Sequence, residues 1–134
     1  MYKKILIALA LDQGHGERAV ELARLIGSED AEVIAIHVVD HVPGFSRVYA
    51  GDIDKEEIVR TAKESIMQRF GDLGNLQPVV LEGHAGRTVT DYANETGVDC
   101  IICGAHRPGL SDFFLGSTAA RIMRYANCSV HVLR

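Results

Sequence analysis

The chain has 134 residues, a formal net charge of −4 and 47% hydrophobic residues. That is about one domain's length with enough apolar content for a core, which argues against disorder. Its 14 Lys and Arg form no basic stripe, and 6% aromatics with no Trp make no base-stacking platform, so nucleic acid is not the expected partner. The longest apolar run, Ile5 to Leu11, is too short to span a bilayer. No small-residue cleavage site follows a long apolar segment, so the expectation is a cytoplasmic protein without a signal peptide or membrane insertion.

Five short apolar runs alternate with helical patterns. The first run is Ile5 to Leu11. Ala19, Leu22, Ala23 and Ile26 then make a stripe of helical period, with Gly27 expected as its C-cap residue. The second run is Glu32 to Val39, followed by an irregular stretch from His41 to Asp54 rich in Gly, Pro and Asp. Val59, Ala62, Ile66 and Phe70 make the second stripe, ended by Gly71, and Gly71 to Pro78 reads as a loop. The third and weakest run is Pro78 to Leu81. Val89, Tyr92, Ala93 and Thr96 make the third stripe, ended by Gly97. Cys100 to Cys103 is the fourth run, Ala119, Ile122, Met123 and Ala126 are the last stripe, and Ser129 to Leu133 is the fifth run. The first and fourth runs are nearly all apolar, as parallel strands covered on both faces are. The alternation predicts an α/β fold: an open five-stranded parallel sheet, helices on both faces, right-handed crossovers, and a single domain over 1–134.

In such sheets a ligand sits beyond the carboxyl ends of the strands, where the strand order reverses. That picks out the loops after Leu9, Val38, Glu82 and Cys103. The last of these is the most informative. Gly104 through Thr118 forms a glycine-punctuated loop between a strand and a helix that opens Gly116-Ser117-Thr118. Glycines let backbone amides approach a ligand, and the helix start offers unpaired N–H groups. Gly104, Gly109, Gly116, Ser117 and Thr118 are therefore phosphate candidates. The plain alternative is a glycine-rich turn with a Ser/Thr helix cap and no ligand. There is no G-x4-G-K-[ST], so no P-loop lysine, and no G-x-G-x-x-G after the first run, which argues against a dinucleotide.

Other candidates are weaker. Cys100 and Cys103 spell C-x-x-C, but residues three apart on a strand face opposite ways, so they read as buried inert thiols. His37 reads as a packed strand histidine. Asp12, Asp40 and Asp112 are not paired by spacing for a metal, and His84 and His106 have no partner carboxylate in a motif, so no catalytic residue is assigned. A receiver domain is excluded: the third run ends Leu81-Glu-Gly, and no Lys follows Lys63.

Val98-Asp-Cys-Ile-Ile-Cys-Gly-Ala-His106 and Leu115-Gly-Ser-Thr-Ala-Ala-Arg-Ile-Met-Arg-Tyr-Ala-Asn-Cys-Ser-Val-His-Val-Leu-Arg134, with Tyr2-Lys-Lys-Ile-Leu-Ile7 and Val33-Ile-Ala-Ile-His-Val-Val-Asp40, resemble the universal stress protein family over essentially the whole chain. The resemblance implies a Rossmann-like fold of the adenine nucleotide alpha hydrolase type, a homodimer, and a stress-response regulator rather than an enzyme. It implies ATP as ligand, with Mg2+ as an accompanying ion, and an unidentified protein partner. Nucleotide-binding members carry G-x2-G-x9-G-[ST]. Here Gly104 matches the first glycine and Gly116-Ser117 the last pair, but the loop is one residue shorter, and His106 or Arg107 stands at the middle glycine. This is the look of a short-loop His-Arg-Pro branch, in which Gly109 replaces the lost flexibility and Arg107 meets phosphate. The acidic residue that ends the family's first strand falls on Ala10. Asp12 either replaces it or caps the following turn. Ala8, Leu9, Ala10, Asp12, Val38, Cys103, Gly104, His106, Arg107, Gly109, Gly116, Ser117 and Thr118 are the implied nucleotide contacts, with Val38 meeting adenine through its backbone. The terminal run 129–133 is the implied dimer edge. The alternative is a dimeric interaction module of the same family that binds no nucleotide.

Overall fold

The computed structural model describes residues 1–9, 14–40, 55–73, 75–105 and 115–134. Among the described residues five strands alternate with four helices: β1 (Tyr2–Ala8), α1 (Gly16–Ile26), β2 (Gly27–Val39), α2 (Lys55–Phe70), a 3-10 turn (Gly71–Leu73), β3 (Leu76–Glu82), α3 (Ala85–Thr96), β4 (Cys100–Gly104), α4 (Ser117–Tyr125) and β5 (Ser129–Leu133). The strands form one sheet in the order β3-β2-β1-β4-β5, with every pairing parallel. This is the expected five-stranded α/β sheet.

Strand alternation divides the core in two. Ile5, Ile7, Val33, Ala35, Cys100 and Ile102 face one layer, where α1 contributes Ala19, Val20 and Ala23 and α2 contributes Ile66 and Phe70. Leu6, Ile34, Ile36, Ile101 and Cys103 face the other, where α3 contributes Val89 and Ala93 and α4 contributes Ala119 and Ile122. Successive residues of each central strand are thus apolar for different layers, which is why the strands read as continuous hydrophobic runs.

The element ends depart from the hydrophobic pattern in instructive ways. β1 begins at Tyr2, before the apolar run, because the backbone amides of Lys3 and Lys4 donate to the Asp99 carboxylate at 2.8 and 3.0 Å. Extended backbone in β2 begins at Gly27, and the register against β1 shifts between Tyr2 and Lys4. The expected loop from Gly71 to Pro78 is instead a 3-10 turn followed by the start of β3 at Leu76. Pro78 is tolerated inside β3 because β3 is an edge strand. Met123, expected on the buried stripe of α4, is 53% exposed; Ala119 and Ile122 carry that face.

Candidate functional site

All strands are parallel, so all five carboxyl ends lie along one edge of the sheet. The chain lays down β1, β2 and β3 in one direction and then returns across β1 to add β4 and β5. The strand order reverses between β1, ending at Ala8, and β4, ending at Gly104. This is the position where open α/β sheets place ligands.

The end of β1 is held in register with β2. The Leu9 amide donates to the Ile36 carbonyl at 2.8 Å. The His37 ring meets the Leu9 carbonyl at 3.2 Å through Nδ1. A carbonyl only accepts, so this bond selects the tautomer with the proton on Nδ1. His37, expected as a packed strand histidine, also ties β2 to the chain leaving β1. Val38 points to the opposite layer, half-buried against the α3–α4 core, and pairs in register with Leu81. Ala8 and Leu9 are also half-buried. Ala10 and Asp12 lie outside the described residues. The residue at the α1 N-cap is His15.

The end of β4 carries the loop's two roots. Ala105 is buried, its amide donating to the Leu133 carbonyl at 2.7 Å and its carbonyl accepting from the Gly116 amide at 2.6 Å. These bonds clasp the chain where it leaves the sheet and where it returns to it. His106, Arg107, Gly109 and Asp112 fall between the roots, outside the described residues. Gly116 has φ −60° and ψ 153°, an extended conformation open to any residue, so a left-handed turn is not what calls for glycine here. Ser117, exposed, and Thr118, half-buried, open α4. Cys103 lies in the α3–α4 core and is 4% exposed, so its side chain is withdrawn from the crevice and only its backbone borders it. Burial pushes the Cys100 and Cys103 thiols up to about 11, with Cys128 and Asp99 adding to the effect at Cys100. Both thiols stay protonated at neutral pH, and they face opposite layers.

The helix starts around the sheet differ. At α3, the His84 ring accepts from the Arg87 amide at 3.4 Å and so caps the helix. At α1 and α4, the residues before the helix are His15 and Gly116, and neither supplies a side-chain cap. Both of those helices adjoin the switch point. The first turn of α1 already carries Glu17, whose carboxylate takes a backbone hydrogen bond, whereas the first turn of α4 has no acidic residue, and its positive dipole end favours an anion.

Sequence reasoning passed over His15. Its ring rests on the end of β4: a Cβ on Gly104 would stand 3.1 Å from His15 Cδ2. The available signal was Gly14-His15-Gly16, a poor capping residue at a helix start where Ser, Thr, Asp or Asn is the rule. Two charged pairs among the described residues involve Glu82, at the carboxyl end of β3, and Glu17, in the first turn of α1. Lys55 meets Glu82 at 2.5 Å, and Arg69 meets Glu17 at 3.0 Å. Glu17 is held below the usual carboxylate range by a backbone hydrogen bond and then by Arg69. Among the described residues no group of His, Cys, Asp and Glu has metal-binding spacing. No helix among them is long and apolar enough to cross a membrane.

The model of the universal stress protein family matches residues 1–134. Universal stress protein A homolog 2 of Coxiella burnetii is 32% identical over 139 residues, spanning 99% of this chain and 95% of that protein. The solved universal stress protein UspA from Lactobacillus plantarum is 26% identical with a TM-score of 0.77, covering 99% of this chain and 98% of that one. The universal stress protein from Archaeoglobus fulgidus solved in complex with dAMP is 20% identical with a TM-score of 0.63, covering 99% and 98%, a likeness of fold.

Proposed function

The chain belongs to the universal stress protein family, and we propose that within it this protein is an ATP-binding regulator, cytoplasmic and homodimeric, whose surface changes with nucleotide occupancy. The ligand is held at the carboxyl ends of β1, β2 and β4. The start of α4 carries the proposal: its cap residue Gly116 has no side chain and its first turn no acidic residue. A helix N-terminus at the root of a glycine-punctuated loop is suited to phosphate. The relative solved with dAMP supports an adenine nucleotide as the class of ligand.

In this reading Gly104, Gly109, Gly116, Ser117 and Thr118 present backbone amides and hydroxyls to the phosphates. Arg107 supplies a planar cation, suited to two phosphate oxygens at once. Ala8, Leu9 and Val38 border adenine and ribose, and Cys103 contributes backbone alone. Asp12 is assigned the ribose or an accompanying Mg2+, the role that Ala10 lacks the carboxylate to play. No residue is assigned a catalytic role, since none is paired with a base or a metal in the way phosphoryl transfer requires. The outer edge of β5 joins two copies through backbone pairing.

Gly116→Val tests the site. Extended φ and ψ admit valine without backbone strain, so the fold remains cooperative while the branched side chain obstructs the amides at the loop root. Equilibrium binding of labelled ATP should be lost with the urea transition intact. Undiminished binding would refute the site.

A second reading is an interaction module of the same family without nucleotide. Ala10 at the family's acidic position and the shortened loop favour it. It predicts a folded dimer that neither retains nor responds to ATP.

A further inference from the structure

We infer that a second copy of this chain adds to β5 antiparallel about a two-fold axis at His131, so that the two imidazoles face each other and the pairing weakens on acidification. The inference rests on the homodimer reading above and adds to it a register and a pH response. β5 pairs with β4 on one side, and no described strand pairs with its other side. The direction of its backbone groups fixes what that free side offers. The Leu133 carbonyl points to β4, where it accepts from the Ala105 amide at 2.7 Å. Backbone groups alternate in direction along a strand. Ser129 and His131 therefore also face β4, while Val130 and Val132 turn their N–H and C=O groups outward.

A two-fold contact of one edge with itself is isologous: residue i meets j, and j meets i. The fullest overlap of the five residues 129–133 sets Val130 of each copy against Val132 of the other, which satisfies the outward groups of both. It leaves His131 on the axis, opposite itself. Residues paired in this way, without hydrogen bonds of their own, stand about 4.5 Å apart at Cα with side chains on one face. The side chains agree with the register. Val130 and Val132 are half-buried against the α3–α4 layer, so the two copies together make one valine stripe. His131 is exposed on the opposite face, the face of Leu133.

A neutral imidazole carries one donor and one acceptor, so two can share a hydrogen bond; two imidazoliums carry donors alone and like charge. Like charges directly opposite on paired strands are destabilising, and a charged edge residue blunts strand addition. The surroundings of His131 do not offset this. Along β4 its face carries Ile102 in register, with the protonated Cys100 thiol and Gly104 two places to either side. Asp99, the acid just before β4, is engaged by the Lys3 and Lys4 amides. α1 reaches this edge through Arg18, which donates to the Arg134 carbonyl at 2.7 Å. α4, with Arg121 and Arg124, packs on the other face. Protons thus bind more readily to separated copies, and the dimer is fully favoured above the histidine range and weakened as pH falls through it.

Sedimentation velocity on the full chain tests the pH response. Between about pH 7.5 and about pH 5.5 the dimer dissociation constant should rise about fivefold, the size of one opposed like-charge pair. His131→Gln should keep the dimer and lose that dependence. Mild oxidation should cross-link His131→Cys as a dimer, since its opposed Cα atoms lie within disulfide reach. Ser129→Cys, set opposite Leu133, should cross-link poorly. A wild-type dimer indifferent to pH, a response retained in His131→Gln, or equal cross-linking through both cysteine variants would each overturn the inference and leave the dimer standing. A wild-type protein monomeric at both pH values would overturn both.

Discussion

Cys100 and Cys103 show how far a single residue's surroundings decide its chemistry. Their spacing matches a redox or metal motif, yet the strand turns one thiol into each core layer. Burial raises both to about 11, against about 8.5 for a thiol in water. The folded protein thus keeps protons that the unfolded chain releases. The sign follows: this contribution to stability is complete below about pH 8.5 and falls away as pH rises toward about 11. Urea midpoints followed across that window should decline, and less steeply in the Cys100→Ala/Cys103→Ala double variant. Parallel declines in both proteins would contradict the burial account. Native thiols should also be slow toward thiol reagents at neutral pH, in contrast to the motif's usual use.

At the scale of the element, two helix-ending glycines stop their helices for different reasons. Gly97 has φ 74° and returns its amide to the Ala93 carbonyl, so it is the left-handed C-cap that the sequence pattern suggested. Gly27 has φ −78° and runs straight into β2; it is glycine because a Cβ would meet the Ala23 carbonyl oxygen at 2.9 Å and the Ala31 Cβ at 3.0 Å. Gly97→Ala has open space for its methyl group but must hold it at positive φ. It should cost about 1–2 kcal/mol, read from the urea midpoint at constant slope; no change would mean that the cap relaxes. The stripes of α1 and α3 were legible because each helix buries one face against one layer. Met123 was misassigned because a four-residue step from Ala119 satisfies the template while lying on the flank of the buried face. The starts of β1 and β3 were missed because Lys3 is held by the Asp99 carboxylate and Lys4 and Gln77 join the sheet through their backbones, which apolar content does not report. Half of the candidate site was readable as Gly104 and Gly116-Ser117. The ring of His15 over Gly104 depends on a contact between distant segments that no local pattern contains.

For the whole molecule, strand order is what makes a site out of these parts. Alternating runs predict a parallel sheet, but only the order β3-β2-β1-β4-β5 brings the ends of β1 and β4 together. The same order leaves β5 paired on one side only. If that edge joins two copies, light scattering should return twice the chain mass of 14.6 kDa. His131→Lys, an exposed position on β5, should shift the protein toward monomer, since an edge lysine blunts strand addition. A monomeric wild-type protein would contradict that arrangement. The central claim is that the switch point holds an adenine nucleotide. Its most direct test is to purify the protein without added nucleotide, denature it in acid, and separate the supernatant by ion-pair chromatography. The account predicts a near-stoichiometric adenine nucleotide, identified as ATP and absent from Gly116→Val. An empty trace, with no thermal shift on adding Mg-ATP to the wild-type protein, would contradict it.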